Sequence, residues 1–268
     1  MLQYLKDKRI RLLLLFGFLL LTYQFFLFIE GRLIFAPTSL WAVELPEGAE
    51  ELTIGKELSA AWFPVPGANF VIVYCHGNAG NISHRFALAR HFQQMGWPTL
   101  LFDYRGYGKS TGGPPSEEKI ILDTQLATRE ALRLSKSDKV IFYGRSLGSV
   151  PAIRNSAKFS HQTCGLILDS PLLSAKAMAE QMGLGWLSLF ITQELDNEFW
   201  IIVRSGPTLI IHGDADRIVP ISHGKKLAER AFPKATLVEI PNGRHNDSRR
   251  KGLALEALKS FIEEVTKR

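Results

Sequence analysis

Cysteine is nearly missing from this chain, and two thiols in 268 residues leave no disulfide framework to hold a fold together. Cys75 ends one apolar run and Cys164 precedes another, which puts them at opposite edges of a parallel sheet, and both are expected to be free. Nothing in the chain repeats. No cluster of His, Cys, Asp or Glu has metal-ligand spacing and no glycine-rich loop has the spacing of a nucleotide cradle, so no metal or cofactor is expected. Strong charge is also lacking. The formal net charge is +6, but residues 1–32 carry five basic groups against two acids, so half of the excess lies ahead of the part that folds. The mild remainder gives no reason to expect a nucleic-acid partner. Arg249, Arg250 and Lys251 are expected on a solvated helix face, with contact to anionic lipid headgroups the lesser alternative.

One thing the chain does have is a long apolar run. From Leu12 to Ile29 it reads LLLLFGFLLLTYQFFLFI, 18 residues without a charge. At a helical rise of about 1.5 Å per residue this is close to the roughly 30 Å hydrocarbon core of a bilayer. A cleaved leader usually has an apolar region of only about 7–15 residues ending in small residues, whereas here EGRLIFAP follows, without such a site. An uncleaved signal anchor over residues 1–32 is the expectation, ahead of a folded domain at 33–268. Lys6, Lys8, Arg9 and Arg11 precede the span and only Arg32 follows closely, which predicts a cytoplasmic N-terminus and a domain outside the cytoplasm.

Beyond the anchor, apolar runs alternate with segments of helical period. NFVIVYC, PTLLFDY, KVIFYG, GLILDS, PTLIIHG and ATLVEI are near-continuous hydrophobic stretches, as strands covered on both faces should be. Two short strands around ELTIGKEL and LSAAWFPV open the domain. The march predicts an α/β fold with a mostly parallel, doubly wound sheet. One helical insertion at about 171–206 departs from it. Its Met178, Met182, Trp186, Leu187, Phe190 and Trp200 either line an apolar substrate groove or pack the segment onto the body.

Ligands of open parallel sheets bind beyond the carboxyl ends of the strands, so the polar residues that end strands are the candidates. Ser146 stands in GRSLGS directly after KVIFYG, at a strand-to-helix turn where Gly144 and Gly148 remove side chains that would clash. A serine hydroxyl needs a base, and the base needs an orienting carboxylate. Of the seven histidines, His84, His91, His161 and His223 are expected at the surface, and His76 and His212 in turns. His245, in the loop between the last strand and the last helix, is the candidate base. The acid comes from Asp214 or Asp216 in the loop after PTLIIHG, and Asp169 is expected to shape the turn into the insertion. For a developing oxyanion, the loop YCHGNAGN supplies the N–H of Asn78, and Leu147, next to the serine, supplies a second.

Together HGNAGN, FDYRGYGKSTGGPPSE, GRSLGS, LDSP, LDN, IIHGDADRIVPISHGKKLAE and RHND resemble the small membrane-anchored α/β hydrolases of the abhydrolase-domain type, over roughly residues 50–265. The resemblance implies an α/β-hydrolase fold with a helical cap at 171–206 and a triad of Ser146, Asp216 and His245, choosing Asp216 over Asp214. It implies a serine hydrolase that cleaves an acyl ester or thioester, lipid-derived ones included, with the bilayer as partner through the N-terminal helix. The alternatives are a membrane-tethered serine peptidase and a non-catalytic scaffold. No obvious acidic cluster in the insertion offers a subsite for a peptide terminus.

Overall fold

The computed structural model describes residues 7–247 and 252–267, apart from the side chain of Leu187. The chain divides into two compact units, Met1–Ala36 and Pro37–Arg268. The first is helix α1, Lys8–Ile34, whose apolar stretch has a mean hydropathy of 2.4 and is long enough to cross a membrane. Asp7 caps its start by accepting a hydrogen bond from the Arg9 N–H at 2.8 Å. Lys6 and the triplet Arg249, Arg250 and Lys251 lie outside the described residues.

The second unit is built on strands β1 (Glu50–Ile54), β2 (Leu58–Phe63), β3 (Val71–Cys75), β4 (Thr99–Phe102), β5 (Val140–Arg145), β6 (Thr163–Asp169), β7 (Thr208–Gly213) and β8 (Thr236–Ile240). They form one eight-stranded sheet in the order β8-β7-β6-β5-β3-β4-β2-β1. β1 pairs antiparallel with β2, and β2 with β4; the other neighbours are parallel. Every residue of β3, β4, β5 and β7 is buried, which is why these strands read as unbroken apolar runs. The sheet is α/β and mostly parallel, as the alternation predicts.

Strand periodicity divides the core between two faces. Ile72, Tyr74, Ile141 and Tyr143 pack with Phe86 and Phe92 of α2 (Phe86–Gln94) and with Leu258, Phe261 and Ile262 of α8 (Gly252–Lys267). Each such side chain contributes on the order of 1.5–3 kcal/mol by leaving water. The remaining helices are α3 (Glu117–Ser135), α4 (Ser149–Lys158), α5 (Ala175–Gln181), α6 (Asn197–Val203) and α7 (Ile221–Arg230). Ser116 caps α3 and Glu117 and Glu118 fill its first turn, where carboxylates favour the helix dipole. Both cysteines are free; Cys75 ends β3 and Cys164 lies near the start of β6, with only β5 between those strands.

The 171–206 insertion comprises α5, a short 3₁₀ helix at Gly185–Phe190, and α6. Neither expectation for its apolar residues holds throughout. Met182, Trp186 and Phe190 are exposed, so they neither line an enclosed groove nor pack onto the body. Trp200 instead lies beneath the Arg154 guanidinium, 4.0 Å from its ring centre. Both border a groove of about 790 Å³ whose walls mix Glu117, Glu118 and Gln193 with Ile121, Leu122 and Val203, so charged groups stand among apolar ones. Glu194 of the insertion joins Glu117 and Glu118 there, an acidic grouping that is invisible in the insertion's sequence alone.

Candidate active site

Ser146 follows β5 immediately and has φ +50°, a left-handed backbone that a side-chain-bearing residue rarely adopts. The glycines around it are needed for space. A Cβ on Gly148 would collide with the carbonyl oxygen of Cys75, and one on Gly144 would come within 2.7 Å of the Ala152 Cβ. A Cβ on Gly77 would stand 3.5 Å from that of Ser146, so the loop after β3 runs directly beside the serine. Tyr107 donates to the Asn78 carbonyl at 2.8 Å and Tyr104 to the His76 carbonyl at 3.1 Å, which brace this loop from the DYRGYG turn.

The turn is itself pinned, because Asp123 of α3 accepts from the Arg105 N–H at 2.8 Å and from its Nε at 2.6 Å. Beneath the loop, His76 and Asp103 are fully buried with Nε2 and Oδ1 3.7 Å apart. Burial pushes the Asp103 carboxyl up to about 7 and the His76 imidazole down to about 3.

Asp216 and His245 meet across the loops after β7 and β8. The His245 Nδ1–H donates to Asp216 Oδ2 at 2.7 Å, while Oδ1 accepts the N–H groups of Ile218 and Val219 at 2.9 and 3.0 Å. Burial alone would raise the Asp216 pKa, but the hydrogen bonds from His212, His245 and the Val219 N–H outweigh it and hold the carboxyl well below the usual range. The two loops touch backbone to backbone: Asp214 N–H donates to Ile240 O at 3.1 Å and Ala215 N–H to Gly243 O at 3.0 Å. Asp214 itself is exposed. Among the described residues no hydrogen bond joins Ser146 to His245, and such bonds commonly tighten only with substrate in place.

Three expectations about neighbouring residues need correction. His223 is buried rather than at the surface, and its Nδ1 accepts the Leu173 N–H at 3.0 Å, tying α7 to the start of the insertion. The signal was present in the sequence, because His223, Gly224, Leu227 and Ala228 share the buried face of α7. His212 does more than shape a turn, since its Nε2 donates to Val219 O at 2.8 Å and stands 3.5 Å from Asp216 Oδ2. Asp169 is fully buried and lies 3.4 Å from the Nε of Arg145, an ion pair across β5 and β6 rather than a turn-shaping residue. His84, His91 and His161 are exposed, as expected.

This architecture, a left-handed serine turn after the central strand with the sheet order given above, makes the chain a member of the α/β-hydrolase family. Residues 67–199 match the family described as serine aminopeptidase, S33. The chain is 32% identical over 191 residues to the Escherichia coli K12 protein YfhR, covering 69% of this chain and 66% of that one. It is 30% identical over 203 residues to alpha/beta hydrolase domain-containing protein 17B of Xenopus laevis, covering 74% and 67%. The matched part thus spans about two thirds of the length of these curated relatives. An esterase of Pyrococcus furiosus superimposes with a TM-score of 0.66 at 22% identity, over 88% of this chain and 98% of that one.

Proposed function

We propose that the chain is a serine hydrolase that cleaves acyl esters or thioesters through Ser146, His245 and Asp216. One observation carries this reading: a buried, ionised Asp216 hydrogen-bonded to the Nδ1 of His245, with Ser146 held in a left-handed turn after the central strand. His245 takes the Ser146 proton through Nε2 as Oγ attacks the carbonyl carbon. The N–H groups of Leu147 and Asn78 receive the oxyanion, and collapse expels the alcohol or thiol protonated by His245. Water, deprotonated by His245, then cleaves the acyl-enzyme. Asp216 fixes the imidazole tautomer and stabilises the imidazolium throughout.

Helix α1 is proposed as a signal anchor with a cytoplasmic N-terminus, supported by its length, its hydropathy and the basic residues Lys8, Arg9 and Arg11 at its start. The domain division at 32/33 belongs to the same proposal. A second reading, cleavage of peptide amides, is favoured by the description of the matched family and by the carboxylates of Glu117, Glu118 and Glu194 around the groove.

The test is labelling with a fluorophosphonate probe and turnover of p-nitrophenyl esters, acyl thioesters and aminoacyl anilides. Labelling and turnover of the first two substrates are expected, with Ser146→Ala lowering kcat by about 10⁴- to 10⁶-fold. A folded wild type that resists the probe overturns the hydrolase reading, and exclusive turnover of the anilides replaces it with the peptidase. A periplasm-dependent reporter fused after Arg268 is expected to be active; activity confined to a cytoplasmic reporter overturns the topology.

A further inference from the structure

The nucleophile and its base come from segments far apart in the chain, and something must hold their backbones in register. Asp216 fixes the His245 ring through Nδ1, but that bond leaves the loop's position relative to β5 unspecified. Arg145, the last residue of β5 and the residue before Ser146, supplies the missing link. Its Nη2 donates to the carbonyl oxygen of His245 at 2.6 Å and to Asn246 Oδ1 at 2.8 Å. Its Nε stands 3.4 Å from Oδ2 of Asp169, its register partner in β6. Arg145 is 5% exposed and Asp169 fully buried, so the cation is balanced where an unpaired charge would be costly.

We infer that Arg145 is a positioning residue, one that sets the distance between Ser146 and His245 by holding the base loop through its main-chain carbonyl. The inference rests on the reading of His245 as the base. A guanidinium suits the task because its donors form a rigid planar fork, with Nε facing the carboxylate and Nη2 giving both its hydrogens to the loop oxygens. A lysine could keep the charge beside Asp169 or reach the loop, but as a single point of charge it cannot reproduce the fork. The residue touches no reacting atom. Its effect therefore falls on the chemical step rather than on substrate binding, because a displacement of about 1 Å in a catalytic group can cost on the order of a hundredfold.

The experiment compares full-length wild type, Arg145→Ala and Arg145→Lys in detergent, reading p-nitrophenyl acetate turnover with and without millimolar guanidinium, together with amide hydrogen exchange over residues 241–247. Arg145→Ala is expected to lose about 10- to 100-fold in kcat with KM within about twofold. Added guanidinium is expected to recover part of this loss. Exchange over 241–247 is expected to quicken while β5 and β6 stay protected. If Arg145→Ala does not fold, Arg145→Lys decides by the same readings, with a severalfold loss of kcat and quicker exchange expected.

A folded variant with wild-type turnover and wild-type exchange overturns the inference. So does a loss of kcat with the loop still protected and no recovery by guanidinium, which would mark a general structural defect. Exchange is read without any activity, so it decides the clamp even if Ser146→Ala shows that the hydrolysis comes from elsewhere.

Discussion

At the carboxyl rim of the sheet, backbone lies against backbone. Gly148 leaves no room for a methyl group beside the Cys75 carbonyl, Gly213 abuts the Gly243 carbonyl, and the loop after β7 donates main-chain hydrogen bonds to Ile240 and Gly243. Along the 171–206 insertion the short helices leave Trp186 and Leu189 at 69% and 89% exposure, and a few buried residues do the holding. Asn197 is the clearest of these, donating to Ser149 Oγ and to Leu172 O, each at 2.8 Å, while Ser149 Oγ donates to the carbonyl of Ser146 at 2.6 Å. The rim is held mainly by backbone packing, to which the Arg145 side chain adds its bonds to the His245 loop, and the insertion by a handful of side-chain contacts that one substitution can remove.

The comparison can be broken most sharply at Gly148. Gly148→Ala is expected to cost more than about 4 kcal/mol or to yield no folded protein, because backbone rather than a movable side chain blocks the methyl group. Its denaturant midpoint measures this, and a near wild-type value would show that the rim can yield.

Asp103 gives a pH signature. Its folded pKa is raised to about 7, against about 3.9 unfolded, so the native state keeps a proton that the unfolded chain has lost. Its contribution to stability therefore falls as pH rises from about 4 to 7 and is level above that. His76, lowered to about 3, works with the opposite sign, since stability is lost as pH drops below about 6.5. Asn at 103 can still accept the Ile82 N–H that Asp103 Oδ1 accepts at 2.9 Å. Asp103→Asn is expected to gain stability relative to wild type as pH is raised from 5 to 8, read as the difference in Tm. A constant difference would overturn the assignment.

The insertion is sharpened by a pair of variants. Asn197→Ala strands Ser149 Oγ and Leu172 O without their donor and is expected to cost about 1–3 kcal/mol, whereas Leu189→Ser is expected to change stability by less than about 0.5 kcal/mol. Urea unfolding of both, followed by near-ultraviolet circular dichroism, measures the contrast, and equal effects would erase it.

Much of the rim was readable from the chain. Strand ends announce themselves where an apolar run meets a glycine, and GRSLGS, HGDAD and PNGRHND each mark one, pointing to Ser146, to Asp214 or Asp216, and to His245; the choice of Asp216 comes from the family resemblance. The insertion was harder, because short helices with exposed aromatics have no single apolar face to read, and the role of Trp186 or Phe190 depends on what lies opposite. Asp169 reads differently in the structure, and Arg145 carries no reading in the sequence, for a separate reason. Their pairing is a matter of strand register, β5 against β6, and the Arg145 bond to the His245 carbonyl engages a main-chain atom that carries no sequence signature.

The close approach of Gly213 to Gly243 bears on how such a chain can be lengthened. Residues added on the inner side of the turn between Ile240 and His245 would meet the preceding loop, so length can be added there only outward, from exposed Pro241 and Asn242. The stretch around residues 183–191, bounded by a left-handed Gly183 and ending in exposed Phe190, has no such obstruction. Length can therefore change at 183–191 without meeting that packing, whereas Asn197 and Leu173 tie the rest of the insertion to Ser149 and His223.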